Sequence, residues 1–452
     1  MKSLFIFRRD LRVQDNIGLS ECLKQSSKVY PIFIFTPEQI KNNPYKSSNC
    51  VQFMIESLKE LSKKINITFL FGKNNEVLEE IIKKEKITTI FTNTDYTPYA
   101  VKRDEELKKL CEKHDIKCSL HHDVCLFEPG TIKTGSGKAY QKFTPFYNVV
   151  IKMTIPKPHK KESDIKTKTH KLKNKFVIKF DETKTFYTHN PNISVKGGRT
   201  AAKQIIDNFK HFKDYGSKRD DLNYETTQLS AYLKFGCVSI RETFHKAKKA
   251  LGLNHPLIRQ FVWRDFYYHI GAENPNMFGN AFYTKYNNLK WSNDEKMFEA
   301  WKNGKTGYPI IDAGIREMNT TGSMHNRTRM STASFLIKNL KHNWLNGEKY
   351  FATMLIDYDP IINNANWQFM ASTAPFSQPY FRIFNPWTQS KKFDKHCEYI
   401  KKWIPELKDV EPKHIHQWDK FHMLHPTINY PKPIVDYKKS RENAIKMYKD
   451  II

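Results

Sequence analysis

The residues of this chain that could do chemistry are concentrated in its second half, and they are not those of a hydrolase. The sequence contains no GxSxG, HExxH or CxxC motif, and His121 and His122 have no further ligand at metal-binding spacing. The stretch TGSGKAY at 134–140 is not a P-loop, because Ile132 and Ala139 stand where Gly and Ser or Thr are needed. The second half is instead rich in Trp, Asn and Arg between aromatic helical segments. Such a site suits a large polar aromatic cofactor that supplies the reaction itself.

The first third of the chain must supply a scaffold, and its pattern is that of a parallel sheet. Short β-rich runs (SLFIF, VYPIFIF, ITFLFG and ITTIFT) alternate with amphipathic helical segments that start near residues 15 and 50, cover 77–84 and extend through 110. Strands separated by helices of this length predict right-handed βαβ units in an α/β doubly wound parallel sheet. No GxGxxG follows the first strand, so the dinucleotide fingerprint is absent.

The remainder of the chain is predicted to be all-α. Apolar residues recur at three- and four-residue spacing in LIRQFVWRDFYYHIG and MSTASFLIKNL. Between the two halves, residues 156–175 are highly charged with few apolar anchors, which indicates an exposed connector. We therefore predict an α/β domain at 1–130, a connector at 131–198 and a helical domain at 199–452.

Composition limits the partners and the compartment. The chain has 75 Lys and Arg against 47 Asp and Glu, a net charge of +28, which makes nucleic acid the leading partner class. A biased genomic composition is the alternative source of this excess. Seven cysteines without a paired spacing favour a reducing compartment, and no apolar run resembles a signal peptide or a membrane span. We expect a soluble, monomeric intracellular protein, cytoplasmic or, in a eukaryote, nuclear.

Four long motifs, in order along the chain, carry a family resemblance. They are FRRDLRVQDN at 7–16, WRDFYYH at 263–269, GKTGYPIIDAGIREMNTTGSMHNRTRM at 304–330, and DYDPIINNANWQF with PYFRIFNP within 357–386. Together they resemble the photolyase/cryptochrome family, and most closely its class I cyclobutane pyrimidine dimer photolyases. The resemblance implies an α/β antenna domain, an all-α FAD-binding domain and a bent FAD held between helices.

The resemblance also implies which residues hold the cofactor. The residues expected around the FAD phosphates and ribityl chain are Tyr215, Thr226, Thr227, Gln228, Leu229 and Ser230. Those expected around the rest of the cofactor are Arg264, Asn326, Arg329, Asp357, Asp359 and Asn363. Asn363 matches the residue that faces flavin N5, where its amide can donate or accept a hydrogen bond. Trp367, Trp344 and Trp291 match the family's electron relay, in order from the flavin to the surface.

The expected substrate is DNA with a flipped-out pyrimidine dimer. Trp263 matches the aromatic wall for the lesion, and the other residues expected to contact DNA are Gln260, Asn326, Arg327, Met330, Phe369, Arg382 and Arg219. Enzymes that repair (6-4) photoproducts carry histidines where Asn326 and Met330 stand, so these residues favour the cyclobutane dimer. Gln260 and Phe369 depart from the Glu and Trp that dimer photolyases usually have.

A second, light-harvesting chromophore is also implied for the α/β domain. Tyr99 and Ala100 stand where folate-binding relatives have an Asn-Glu pair, so a deazaflavin or a flavin is favoured over folate. The alternative functions are a cryptochrome photoreceptor without repair and a (6-4) photolyase. The sequence ends at Ile452 without the long tail common in cryptochromes, and this favours repair.

Overall fold

The N-terminal unit of the computed structural model, which describes residues 1–159 and 165–451, is built on five parallel strands. The strands are Lys2–Ile6 (β1), Lys28–Phe35 (β2), Thr68–Phe71 (β3), Thr89–Asn93 (β4) and Lys117–His121 (β5). Their order is β3-β2-β1-β4-β5, which confirms the predicted doubly wound parallel sheet. We did not predict β5, because KCSLH is an edge strand with a polar, half-exposed pattern.

Helices cover both faces of the sheet, and their starts can be read locally. They are Ile17–Gln25 (α1), Pro37–Ile40 (α2), Ser48–Ser62 (α3), Asn74–Glu85 (α4) and Pro98–Lys113 (α5). Ser47 caps α3 by accepting a hydrogen bond from the Cys50 amide, and Thr97 caps α5 by accepting one from the Ala100 amide. These caps and Pro98 at the first helical position set where the helices begin.

The described residues from 199 onward are mostly helical, as predicted, and two further helices lie in the predicted connector. In chain order, these helices are Phe143–Val150 (α6), Ile165–Lys168 (α7), Arg199–Asp207 (α8), Tyr215–Lys218 (α9), Ser230–Lys234 (α10), Ile240–Leu251 (α11), Pro256–Glu273 (α12), Glu295–Lys302 (α13), Pro309–Thr321 (α14), Asn326–Ser334 (α15), Trp344–Met354 (α16), Pro360–Ala371 (α17), Pro386–Phe393 (α18), Glu398–Trp403 (α19), Pro412–Ile415 (α20), Trp418–Phe421 (α21) and Tyr437–Lys449 (α22). Short 3-10 turns lie at Phe180–Phe186, Phe209–Phe212, Pro275–Met277, Thr284–Asn288, Pro405–Leu407 and His422–Leu424, and Phe335–Asn339 is a π-helical turn. None of the described helices is long and apolar enough to cross a membrane.

The predicted connector, 131–198, of which we expected 156–175 to be exposed, is partly buried. Its helix α6 packs against α12, and further along the His170 amide donates to the Val29 carbonyl (2.9 Å) and the Ile178 amide to the Phe69 carbonyl (3.0 Å). Leu172 is buried in the same stretch. The exposure expected for 156–175 is therefore wrong in part, because the edge of the sheet needs partners for its backbone groups. Residues 160–164 of the predicted connector lie outside the described residues.

A buried ionic cluster joins the sheet to the helical unit. Arg12 and Arg241 both donate to the carboxylate of Asp123, with N–O distances of 2.6 to 2.7 Å, and Arg241 Nε also reaches Asp15 at 3.1 Å. All four residues are at least 96% buried. Asp15 and Arg12 follow β1, Asp123 follows β5, and Arg241 lies on α11, so the cluster holds the two units in one arrangement.

Candidate active site

The predicted site residues lie mainly on α17 and on three helices that pack around it. Packing is close at two glycines: a Cβ at Gly271 of α12 would lie 2.7 Å from Ile361 of α17, and one at Gly347 of α16 would collide with the ring of Trp367. The helices α12, α15 and α16 each contact α17. By helix, the residues are Gln260, Trp263 and Arg264 on α12, Asn326, Arg327, Arg329 and Met330 on α15, Trp344 on α16, and Asn363, Trp367 and Phe369 on α17.

Asp359 starts α17 and connects it to the N-terminal unit. Its side chain accepts hydrogen bonds from the amides of Ile361 and Ile362, and also from Arg9 and the phenol of Tyr268. Burial alone would raise the pKa of Asp359, but the charge of Arg9 and the phenol lower it to about 2. Sequence reasoning missed Arg9, since it lies 350 residues away in a motif that we used only for recognition.

Several polar atoms in this region are buried without a partner, which is the test of whether FAD fits. Among the described residues these atoms include Asp357 Oδ1 and the Tyr224 hydroxyl. The other Asp357 oxygen accepts a 3.0 Å hydrogen bond from Arg329, so one lone acceptor remains beside a cation. Unpaired buried acceptors and donors are costly in a finished core, and a polar cofactor would satisfy them. The residues present therefore fit a group such as FAD.

The segment between α9 and α10 carries the residues expected at the FAD phosphates. Tyr215, Thr226, Thr227 and Gln228 are half-buried, Leu229 is buried and Ser230 is exposed at the start of α10. Gln228 adopts a left-handed conformation with φ of 49°. This turn presents the Thr hydroxyls and a helix start on one short segment, an arrangement suited to anionic oxygens.

Two of the predicted arginines are already engaged within the protein. Arg264 donates to the Val124 carbonyl at 2.7 Å and lies over the Tyr268 ring, so it faces the junction of the two units. Arg327 donates to Asp220 at 2.6 Å and lies over the Phe393 ring. The exposed Arg382 and the half-buried Arg219 form no ion pair with a carboxylate among residues 1–159 and 165–451, so their charges are available to a phosphate.

Asn363 is held by the neighbouring helix α16. Its Nδ2 donates to the Glu348 carbonyl at 3.1 Å, while Asn364 Nδ2 donates to the Glu348 carboxyl at 3.2 Å. The Asn363 amide is thereby oriented with Nδ2 toward α16, which leaves Oδ1 as an acceptor. Burial raises the pKa of Glu348 to about 7. Sequence reasoning missed Glu348, because nothing in its local pattern separates it from a surface glutamate.

Glu348→Gln is expected to remove a pH-dependent loss of stability. A carboxyl with a pKa near 7 when folded and near 4.5 when unfolded destabilises the fold progressively as pH rises between these values. The free energy of unfolding of the variant, relative to that of the wild type, should therefore rise by about 3 kcal/mol as the pH is raised from 4 to 8. Urea unfolding of both proteins at several pH values measures the difference, with the exposed Glu105→Gln as control. A constant difference across that range would contradict this assignment.

The three predicted relay tryptophans become more buried toward α17. Trp291 is half-buried, Trp344 is 3% exposed and Trp367 is 2% exposed. The ring of Trp367 lies against Gly347, one turn after Trp344, and the Ser292 amide next to Trp291 donates to the Lys341 carbonyl at 2.7 Å. The structure therefore brings the three segments into one packed region, and the order of the relay stays a prediction.

Sequence reasoning missed a fourth tryptophan in this cluster. Trp301 is fully buried, its ring centroid lies 6.4 Å from that of Trp367, and its indole N–H donates to the Thr332 carbonyl at 3.0 Å. Trp301 lies on the buried side of α13, and it is tertiary packing that brings it against Trp367.

The residues expected to face the lesion lie on adjoining surfaces of α12, α15 and α17. Trp263 and Phe369 are half-buried, and Gln260 lies one turn before Trp263. On α15, Asn326 Nδ2 approaches Met330 Sδ at 3.7 Å, so the two side chains form one small surface without a titratable group.

Comparison with known proteins matches both units of this structure. Residues 3–163 match the family model described as DNA photolyase, and residues 257–450 match the FAD binding domain of DNA photolyase. The chain is 37% identical to the deoxyribodipyrimidine photo-lyase of Buchnera aphidicola (strain APS), over 99% of this chain and 97% of that protein. It is 32% identical to the deoxyribodipyrimidine photo-lyase of Escherichia coli K12, over 98% and 97% of the two chains.

Solved structures agree with these matches. An archaeal photolyase from Sulfolobus tokodaii, described with two FAD molecules, has a TM-score of 0.90 and 38% identity, and the match covers 100% of both chains. A class III photolyase from Agrobacterium tumefaciens has a TM-score of 0.91 and 30% identity, over 100% and 97% of the two chains. A Synechocystis cryptochrome has a TM-score of 0.90 and 26% identity, over 99% of both. With nearly full-length matches across both units, the chain belongs to the DNA photolyase family, a family of enzymes with an FAD-binding domain.

Proposed function

We propose that this chain repairs cyclobutane pyrimidine dimers in DNA in a light-driven reaction, as a photolyase of the class I type. The observation that carries the choice of lesion is the surface formed by Asn326 and Met330, which offers no group that could transfer a proton. The chemistry that reduced FAD supplies when bound is an electron, lent to the dimer under light and returned after the two carbon–carbon bonds between the pyrimidines have broken. This reaction needs no net proton transfer, unlike repair of the (6-4) lesion.

In this proposal the protein's own residues bind the cofactor and orient the extruded bases beside it. The lone acceptor of Asp357, the amide of Asn363 and the turn at 226–230 would hold the cofactor, with Arg329 supplying a nearby positive charge. Trp263 and Phe369 would form apolar walls for the extruded bases, and the exposed Arg382 would contact a phosphate. Gln260 would bind the lesion as a neutral donor and acceptor.

A cryptochrome photoreceptor is the second candidate, since a cryptochrome shares this fold. In either case we propose that the α/β unit binds a second chromophore of the flavin or deazaflavin type. Ala100, which is 1% exposed, offers no carboxylate for a folate, and the similar archaeal photolyase is described with two FAD molecules. We propose a monomer that acts on DNA in the cytoplasm or nucleus.

Illumination of the reduced protein with oligonucleotides that contain one defined lesion tests the proposal. We expect the cyclobutane dimer to be restored and the (6-4) photoproduct to remain, with undamaged DNA as control and chromatography of the released chromophores to identify them. Repair of (6-4) lesions alone would refute the choice of lesion. Repair of neither, by a protein that contains FAD, would favour the photoreceptor.

A further inference from the structure

We propose that Phe143 of α6 positions Trp263, so that the indole ring is already ordered, before DNA binds, in the orientation that contacts the flipped lesion. The inference rests on the proposed function and extends it to a segment outside the FAD-binding domain match. Phe143 and Trp263 stack face to face, with ring centroids 3.6 Å apart and planes 6° apart. We call Phe143, Trp263, Tyr147 and Arg259 the lesion-wall cluster.

The contacts of Trp263 leave its ring little freedom to turn. One face is covered by Phe143, while Phe266 meets the ring at 81° (5.7 Å) and Tyr267 at 42° (5.4 Å). Trp263 nevertheless remains half-buried, whereas Phe143 is only 5% exposed. The part of the indole that a base could contact is therefore presented by a ring already held in place.

Phe143 is held in turn by a cation on α12, the helix that carries Trp263. The guanidinium of Arg259 lies 4.8 Å from the ring centroids of both Phe143 and Tyr147. Arg259 and Trp263 are four residues apart on α12, so both point to the same side of this helix. The cluster thereby joins α6 to the one turn of α12 that carries Gln260 and Trp263.

An indole ring that is ordered before DNA binds favours binding of damaged DNA over undamaged DNA. An extruded base that stacks on an already ordered indole does not have to immobilise that side chain on binding. Undamaged duplex bound through its phosphates gains nothing from the stack, because its bases remain paired. Loss of the stack should therefore weaken binding of damaged DNA selectively.

Phe143→Leu tests this, because it keeps an apolar side chain and removes the ring. We expect the Kd for dimer-containing duplex to rise about three- to tenfold, with the Kd for undamaged duplex unchanged. In repair assays, KM should rise by a similar factor while kcat stays within about twofold of the wild type. Unchanged KM and Kd for damaged DNA would overturn the proposal.

Phe146→Leu is the matched control, since Phe146 lies one turn later on α6 and packs on Phe266 (5.4 Å) and His269 (5.1 Å) instead of Trp263. It should lower the Tm without changing discrimination between damaged and undamaged DNA. An equal loss of discrimination in both variants would show a general packing defect and overturn the proposal.

Arg259→Gln is a second test of the cluster, and it removes no apolar side chain from the core. We expect a smaller, lesion-selective rise in Kd, and an equal rise for damaged and undamaged DNA would contradict a positioning role. The wild type distinguishes failure of this proposal from failure of the proposed function. If the wild type repairs dimers and Phe143→Leu has the same KM and the same Kd for damaged DNA, only the proposed role of the cluster is refuted. If the wild type itself repairs no dimers, the proposed function is refuted.

Discussion

Replacing Trp367 with Phe is expected to abolish light-driven reduction of oxidised FAD, with a loss of at least about a hundredfold in rate. Trp367 is the most buried of the three predicted relay residues, and its ring lies against the helix that begins at Trp344. Phenylalanine is much harder to oxidise than tryptophan, so the first transfer step is lost. The longer path from Trp344 cannot replace it, because electron transfer slows steeply with distance. Absorbance of the flavin under continuous blue light with an external electron donor measures the rate.

Trp301→Phe is the control for this prediction. Trp301 is also fully buried and its ring lies 6.4 Å from that of Trp367, but it is not part of the predicted relay. The two variants lose similar core packing, and only Trp367→Phe should lose photoreduction. Chemically reduced Trp367→Phe should still repair dimers, because the relay prepares the flavin and does not act in repair. Normal photoreduction in Trp367→Phe would remove this residue from the relay.

Asp123→Ala is expected to destabilise the protein by about 3–5 kcal/mol, the largest stability effect that we predict. Its carboxylate accepts hydrogen bonds from Arg12 and Arg241, which are each 2% exposed, so the variant leaves two buried cations without their shared partner. Because this cluster joins the strand ends to α11, the loss should also loosen the contact between the two units. Urea unfolding near pH 7 measures the free energy of unfolding.

The pH dependence provides a separate check on Asp123. Burial opposes ionisation, but the charges of Arg12 and Arg241 hold the pKa of Asp123 well below its usual range. The stabilisation is therefore present above about pH 4 and is lost as pH falls through the lowered pKa. The difference between wild type and Asp123→Ala should shrink in acid. Asp181→Ala, which breaks only the exposed pair with Lys184 (2.8 Å), should leave the free energy of unfolding nearly unchanged, because solvent screens this pair. A similarly small effect for Asp123→Ala would contradict the cluster's structural role.

Local pattern was sufficient for the architecture, and motif resemblance was sufficient to predict a set of site residues. Four of five strands follow from short β-rich runs, because a strand buried on both faces must be apolar throughout. The helical half follows from periodicity, and the site residues follow from motifs that resemble a known family. These features are encoded within about ten to thirty consecutive residues each, so they can be read without knowing what they pack against.

The contacts that orient the site could not be read in this way. Arg9 reaches Asp359 across 350 residues, Glu348 holds Asn363 from another helix, and Phe143 stacks on Trp263 from a segment that looked like part of a linker. Each partner is an ordinary residue in its own stretch of sequence. Its role arises only when the chain folds and burial brings the two together, since hydrogen bonds and stacking depend on distances of a few ångströms and not on separation along the chain.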